Sequence, residues 1–335
     1  MIDLETRDVT VNGITLHVAA QGEGPLVLLC HGFPETSYAW RHQLPALAQA
    51  GFRAVAPDLR GYGASDSPAD VAAFTTLDVI GDLIALIDNE GAASAVIVGG
   101  DWGANIAWQA AQLRPDRFRA VVALGVPMMR RAPIAPSRLF PKTESAAFYT
   151  HYFNEPGIAE QEFERDVGAT LRAIYFAASG DAGPRDAPGT PNPFGMVANG
   201  QGLLDALPAP RTLPAWLTPS DLDVFVRSFT TSGFRGGLNY YRNLDRNWAL
   251  QAALDGKQVE VPALYLVGER DTGLAIPGMD QIIKAMPALV PQLRAAEVIP
   301  GAGHWLQQEA PEAVNRALVD FLKSVQHGQP LAHGL

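Results

Sequence analysis

The sequence predicts an α/β fold with a mostly parallel central sheet, and two observations carry this prediction. Short apolar runs typical of buried strands alternate with helical stretches at both ends of the chain. Between those ends the chain loses this alternation and is rich in aromatic residues and helical patterns. We therefore expect a discontinuous α/β core, residues 1–130 and 246–335, with a mainly helical lid inserted at residues 131–245.

The individual elements follow from local patterns. Asn12-Gly13 between two alternating runs predicts a hairpin, and Gly51 and Gly91 are expected to end helices. Strands are expected at 25–30, 52–58, 94–100 and 118–125, and again within 261–271 and 295–304. Helices are expected at 37–50, 76–91, 103–113 and 311–325.

The composition excludes several classes of protein. Of the 335 residues 47% are hydrophobic and 18% are charged, which is typical of an ordinary globular chain. The net charge of −10 argues against a nucleic acid or an anionic membrane as partner. A single cysteine, Cys30, excludes internal disulfides and fits a reducing compartment. With no secretory signal and no membrane-spanning apolar run in the sequence, we expect a cytoplasmic protein.

The stretch 99–104, Gly-Gly-Asp-Trp-Gly-Ala, joins a buried strand to a helix. A strand-to-helix turn built from small residues predicts a nucleophile elbow, which lifts one side chain above the edge of the sheet. Asp101 occupies the lifted position, and the chain contains no Gly-x-Ser-x-Gly motif. Taken alone, Asp101 fits two interpretations, a helix N-cap or a carboxylate nucleophile that forms an ester.

Two further residues favour the nucleophile. Asp271 directly follows a buried strand, and His304 lies in a glycine-rich turn after the next strand. An elbow nucleophile needs a base and an acid that orients the base, in the chain order nucleophile, acid, histidine. The three residues have this order, and each follows the carboxyl end of a strand, where sites form in α/β sheets.

The motif His31-Gly32-Phe33-Pro34 follows the first buried parallel strand. In this architecture that turn supplies one backbone donor to an oxyanion, and the residue after the nucleophile supplies the other. We expect the N–H groups of Phe33 and Trp102 to be this pair. A cis bond before Pro34 would suit the turn.

Four motifs of the chain resemble those of the soluble epoxide hydrolases of the α/β-hydrolase fold: His31-Gly32-Phe33-Pro34, 99–104, Asp271 and Gly303-His304-Trp305. The bacterial members, which have no extra N-terminal domain, are the most similar. The family also uses two lid tyrosines, and the stretches 148–160 and 234–243 match its pattern. The resemblance places these tyrosines at Tyr149 and Tyr241, with Tyr240 as a rival for the second.

The resemblance implies a mechanism. Asp101 would open an epoxide while the two lid tyrosines donate hydrogen bonds to its oxygen, and His304, oriented by Asp271, would activate water to release a vicinal diol. Neither a cofactor nor a metal is expected. The expected partners are a small apolar epoxide and water, without nucleic acid or a membrane span, and a homodimer is left open. The expected pocket residues are Phe33, Pro34, Trp40, Trp102, Tyr240 and Trp305.

Three alternatives share parts of this pattern. A haloalkane or haloacid dehalogenase also uses an elbow aspartate, but haloalkane dehalogenases usually have asparagine where this chain has Phe33, and the fluoroacetate group carries arginines after the nucleophile. A serine esterase is disfavoured because the serine is missing. A non-catalytic ligand-binding protein of the same fold has no need of Asp101, Asp271 and His304 together.

Two features fall outside the resemblance. Gly100 stands where many members have histidine, and we expect the tight turn to favour its small size. The Gly/Pro-rich segment 180–195 has no role that the sequence assigns.

Overall fold

The computed structural model describes residues 4–185 and 189–328, and its centre is an eight-stranded sheet. Including a separate two-stranded pair, the ten strands of the described residues are β1 (Glu5–Val11), β2 (Ile14–Gln21), β3 (Leu26–Cys30), β4 (Arg53–Pro57), β5 (Ala95–Gly100), β6 (Phe118–Leu124), β7 (Ala146–Phe148), β8 (Met196–Ala198), β9 (Ala263–Gly268) and β10 (Leu293–Ile299). The sheet order is β1-β2-β4-β3-β5-β6-β9-β10, and β7 pairs with β8 separately. Pairing is antiparallel at β1-β2-β4 and parallel from β4 to β10. The predicted α/β architecture is confirmed.

Helices cover both faces of this sheet. The helices of the described residues, those on the sheet together with those of the inserted segment, are α1 (Gln43–Gln49), α2 (Thr76–Asn89), α3 (Trp102–Leu113), α4 (Pro136–Leu139), α5 (Tyr149–Asn154), α6 (Ile158–Phe163), α7 (Val167–Ala178), α8 (Pro219–Ser232), α9 (Arg235–Arg242), α10 (Leu244–Leu250), α11 (Met279–Ala285), α12 (Leu306–Glu309) and α13 (Pro311–His327). The helix predicted at 37–50 is divided, because a 3₁₀ turn at Ser37–Trp40 precedes α1. The hairpin is confirmed, with positive φ at Asn12 and Gly13.

The strands read as continuous apolar runs because both faces of the sheet are buried. In β3, Leu28 and Cys30 belong to the core shared with α2, α3 and the inserted helices. Val27 and Leu29 point the other way, into the core shared with α1 and α13. The first of these two cores continues into the inserted helices.

The insertion leaves the sheet after β6 and returns at β9, its direct neighbour, with Val121 opposite Ala263. Between these strands lie α4 to α10 and the β7–β8 pair. Helix α10 runs across the predicted boundary at 245/246, and the exact limits of the lid remain a prediction. Among the residues described, no helix combines the length and apolar character needed to cross a bilayer.

The parallel strands carry the expected residues to one edge. β3 ends just before the oxyanion motif, β5 just before Asp101, and β9 just before the loop of Asp271. β10 leads into the loop of His304. Because parallel strands share the edge at which they end, residues far apart in the chain are brought together there.

Candidate active site

Asp101 lies at a sharp bend between β5 and α3, with φ 53° and ψ −120°. A side chain in this region costs on the order of 1–3 kcal/mol, and such strain persists only where the surroundings enforce it. The surroundings are backbone: a Cβ added to Gly99 would lie 2.0 Å from Gly103 O, and one added to Gly103 would lie 2.0 Å from Cys30 O. These two glycines allow β3, β5 and α3 to meet at the bend.

Gly100 differs from its neighbours. A Cβ there would meet Gln307 Oε1 at 3.7 Å and Leu124 Cβ at 4.0 Å, which are ordinary contacts. The expectation that the tight turn needs a small residue at this position is therefore wrong. The crowding is on the sides of the turn that face α3 and β3.

The oxyanion motif faces the carboxylate directly. Phe33 N donates to Asp101 Oδ1 at 2.8 Å, and the Phe33–Pro34 bond is cis. His31 holds the loop from behind: its Nε2 accepts from Leu59 N at 3.0 Å, and its Nδ1 contacts Gly32 O at 2.9 Å. Trp102 is the first residue of α3, a position whose N–H has no partner within the helix.

His304 lies between two carboxylates. Its Nδ1 is 3.2 Å from Asp271 Oδ1 and 3.1 Å from Oδ2, and its Nε2 is 3.4 Å from Asp101 Oδ2. Burial lowers the pKa of His304, but the charge of Asp271 and the contacts with Asp101 outweigh it and raise the pKa well above its ordinary value. Burial raises the pKa of Asp271, and its interactions with His304, above all, reverse this and hold it below the ordinary value. The two carboxylates therefore favour the imidazolium form of His304.

Two lid helices bring Tyr149 and Tyr241 together beside Asp101. Tyr149 begins α5 and Tyr241 lies in α9, and their ring centroids are 5.7 Å apart. The ring of Tyr241 also packs edge-on against Trp102, with centroids 5.2 Å apart. Burial, followed by the negative charge of Asp101, raises the pKa of both phenols. Both hydroxyls therefore keep their protons at neutral pH and are available as donors.

Asp101 and the two tyrosines line one cavity of 140 Å³. The rest of its wall is formed by Trp102, Asn105, Val126, Phe140, Thr150 and Leu244. The hydroxyl of Thr150 is buried in this wall without a hydrogen-bond partner. Phe140 and Leu244 also line two neighbouring cavities, of 270 and 380 Å³, and so stand between the site and the larger spaces around it.

Two of the predicted pocket residues lie elsewhere, which corrects that part of the prediction. Trp40 is fully buried in the core on the other face of the sheet, beside α1 and α13. Tyr240 is fully buried, and its hydroxyl donates to Arg60 O at 3.0 Å. Its phenol is thus occupied away from Asp101, whereas Tyr241, the next residue in sequence, lines the cavity with Asp101.

Phe33, Pro34 and Trp305 do not line the cavity either, which corrects the prediction for these three residues as well. The ring of Phe33 lies 5.6 Å from that of Tyr241, and Trp305 packs edge-on against His304 with centroids 4.9 Å apart. The carbonyl of Pro34 accepts a hydrogen bond from a buried tyrosine hydroxyl at 2.6 Å. Trp102 is the predicted pocket residue that lines the cavity itself.

Glu35 is a buried carboxyl that the sequence analysis did not select. It is 1% exposed and accepts from the side-chain amides of Gln307 and Gln308 at 2.8 and 2.6 Å. Burial raises its pKa to about 7, although Gln308 and the charge of His304 lower it, and the charge of Asp101 adds to the rise. The feature of the sequence that could have indicated Glu35 is its position, as an acidic residue directly after the oxyanion motif.

Within residues 4–185 and 189–328, no three His, Cys, Asp or Glu side chains converge as metal ligands would. The site instead joins a carboxylate on an elbow, a His–Asp pair, an oxyanion loop and two phenols.

This fold and this set of residues define an α/β hydrolase, and a family model described as alpha/beta hydrolase fold matches residues 25–311. Epoxide hydrolase A of Mycobacterium tuberculosis is 43% identical over 96% of this chain and 98% of that protein. A solved epoxide hydrolase from an endophytic Streptomyces has a TM-score of 0.92 and 43% identity, covering 97% of this chain and 96% of its own. Epoxide hydrolase A from Mycobacterium thermoresistibile has a TM-score of 0.87 and 40% identity, covering 96% and 98%. The chain belongs to the epoxide hydrolase family.

Proposed function

We propose that this chain hydrolyses small apolar epoxides to vicinal diols through a covalent ester on Asp101. The observation that carries the proposal is one cavity in which the Asp101 carboxylate faces Tyr149 and Tyr241. The same carboxylate lies 3.4 Å from the imidazole of His304. A nucleophile and two acids thus line one small space, and a base contacts the nucleophile.

Ring opening uses the carboxylate and the phenols. An epoxide has no leaving group other than its own oxygen, so an acid must stabilise the alkoxide as Asp101 attacks the ring carbon. Tyr149 and Tyr241 are suited to this because their raised pKa keeps them protonated until the alkoxide develops. The bond from carbon to the epoxide oxygen breaks, and an ester bond from carbon to Asp101 forms.

Ester formation changes the state of His304. Asp101 loses its negative charge when it becomes an ester, so one of the two charges that raise the pKa of His304 disappears. The imidazole can then release its proton, and this proton makes up for the one that the alkoxide takes from a phenol. His304 becomes neutral at the moment at which a base is required.

Hydrolysis restores the resting state. Neutral His304 takes a proton from water, and the water oxygen attacks the ester carbonyl of Asp101. The N–H groups of Phe33 and Trp102 stabilise the oxyanion, with roughly 3–4 kcal/mol for each donor. When the oxyanion collapses, the bond from the carbonyl carbon to the substrate oxygen breaks, and that oxygen takes the second proton of the water as the diol leaves. A carboxylate then lies beside an imidazolium, so epoxide and water are consumed and no proton is gained or lost overall.

The size and surface of the cavity support a compact apolar substrate. The volume of 140 Å³ is bounded mainly by apolar side chains, and it shares Phe140 and Leu244 with the neighbouring spaces. We further propose that the enzyme acts in the cytoplasm, which suits a chain whose single cysteine, Cys30, is buried and unpaired.

A trapped ester tests the mechanism. In His304→Gln the base is lost but the nucleophile and the phenols remain, so styrene oxide should accumulate as an adduct on the peptide that contains Asp101. Ring opening expels nothing, and the mass gain should equal the whole epoxide. The matched control is His327→Gln, a change at an exposed residue at the end of α13, which should turn over without accumulating an adduct.

Two outcomes would contradict the proposal. One is the absence of an adduct with styrene oxide and with a panel of aryl and alkyl epoxides. The other is labelling of Asp101 by chloro- or bromoalkanes with release of free halide, which would indicate a dehalogenase.

A further inference from the structure

The segment 177–185, here called the latch segment, runs from the end of α7 across the loops that carry the catalytic pair. Its backbone touches the histidine loop: His304 N donates to Ala178 O at 3.0 Å. A Cβ added to Gly303 would lie 2.3 Å from Gly180 N, and one added to Gly180 would lie 2.0 Å from Gly301 O. With no space between the two backbones, the position of one fixes the position of the other.

The Glu309 carboxylate accepts hydrogen bonds from both of these backbones. Its Oε2 accepts from Gly180 N and from Gly303 N, both at 2.8 Å, and its Oε1 accepts from Trp305 N at 2.9 Å. One carboxylate thus holds the residues on both sides of His304 and the latch segment at the same time. Burial raises the pKa of Glu309 to about 7, and the three backbone N–H bonds, which favour its carboxylate form, lower it.

Arg185 makes the corresponding connection to the aspartate loop. Its guanidinium donates to the carbonyl oxygens of Arg270 at 2.6 Å and Ser179 at 2.8 Å. It also donates to Ala177 O at 3.0 Å and to Pro191 O at 2.9 Å. Arg270 returns a bond from Nη1 to the Gly180 carbonyl at 3.0 Å. The residue before Asp271 is therefore fastened to the lid from both directions.

We infer that Glu309 and Arg185 are positioning residues, which fasten the latch segment to the loops of His304 and Asp271 and so set the alignment of the catalytic base. This inference rests on the proposed function, in which His304 acts only after the ester has formed. It also gives a role to the described part of the Gly/Pro-rich segment 180–195. Neither side chain touches the substrate cavity, so each acts through the pair that it holds.

The two half-reactions separate this role from general stability. Attack by Asp101 depends on the elbow and the lid phenols, whereas ester hydrolysis depends on His304. A misalignment near 1 Å can cost on the order of a hundredfold in rate. Loosening the latch segment should therefore slow hydrolysis much more than alkylation, and the ester should accumulate. A loss of folded protein would instead lower both rates together.

The experiment compares Glu309→Gln and Arg185→Lys with matched controls. Glutamine has one acceptor oxygen, so at least one of the three N–H groups loses its partner, while Arg185→Lys keeps the charge but loses the planar fork. The controls are the same changes at exposed positions, Glu312→Gln and Arg165→Lys. Single-turnover reactions with styrene oxide should show ester hydrolysis reduced on the order of tenfold in both test variants, with alkylation near wild type.

A second measurement does not depend on catalysis. Hydrogen exchange of the Gly303 and Trp305 amides should accelerate in Glu309→Gln and in Arg185→Lys, and should stay as in wild type in both controls. Unchanged exchange, or an unchanged ratio of the two rate constants in folded Arg185→Lys, overturns the inference. If wild type forms no ester with any epoxide while hydrogen exchange accelerates in both test variants, the proposed function is wrong. The fastening of the latch segment to the two loops by Glu309 and Arg185 is then still supported.

Discussion

The elbow offers a matched pair of substitutions one residue apart. In Gly99→Ala the new Cβ would lie 2.0 Å from Gly103 O, about 1.4 Å inside the 3.4 Å at which ordinary contact begins. The backbone of the first turn of α3 must move to relieve this, and it carries the Trp102 N–H and the Asp101 carboxylate with it. In Gly100→Ala the nearest atom is 3.7 Å away and nothing has to move.

The expected effects differ by orders of magnitude. A shift near 1 Å at the nucleophile should reduce the rate of ester formation on the order of a hundredfold, and overpacking should destabilise Gly99→Ala by about 1–3 kcal/mol. In Gly100→Ala the new Cβ makes only ordinary contacts, so this variant should be much less destabilised than Gly99→Ala and should retain its activity. Urea unfolding gives the stabilities, and single-turnover labelling of Asp101 by styrene oxide gives the rates. Equal behaviour of the two variants would refute the idea that rigid backbone contacts aim the nucleophile.

Two further predictions concern the charges and donors around Asp101. Tyr149→Phe and Tyr241→Phe should each slow adduct formation on the order of tenfold to a hundredfold, since a hydrogen bond to a charged group contributes roughly 1.5–3 kcal/mol. The control is Tyr240→Phe, and an equal loss of rate in this variant would contradict the assignment of Tyr241 as a donor. In Asp101→Asn the pKa of His304, measured by NMR titration of its ring, should fall because one carboxylate becomes neutral. The raised pKa of His304 stabilises the folded state at low pH. Wild type should therefore lose stability relative to Asp101→Asn as the pH rises through the pKa of His304 in the folded wild type. Identical titrations of His304 in the two proteins would contradict this prediction.

The sequence predicts those parts of the site that depend on strand ends. Asp101 and the oxyanion motif follow strands directly, and parallel strands share the edge at which they end. Local sequence patterns were therefore sufficient to predict that these residues lie close together. The same holds for the loops of Asp271 and His304. Their roles in catalysis remain predictions, but their proximity is a feature of the structure.

Residues whose position depends on packing between distant segments were harder to place. Trp40 precedes α1 in sequence, and nothing local indicates that its ring enters the opposite core. Tyr240 and Tyr241 are neighbours on one helix, and the Arg60 carbonyl that takes up the first hydroxyl lies far away in sequence. Glu309 likewise gains its importance from Gly180, on a lid segment whose path no local pattern predicts.

The pairing of β6 with β9 has a consequence for how the chain folds during synthesis. The two strands are neighbours in the sheet but lie on either side of the whole inserted segment. Until residues 263–268 leave the ribosome, β6 presents an unpaired edge, which is a surface prone to pairing with other chains. Closing so long a loop is slow, because its entropy is lost before the contacts form. A nascent chain therefore holds Asp101 and the open edge of β6 well before the segment that carries His304 has been synthesised.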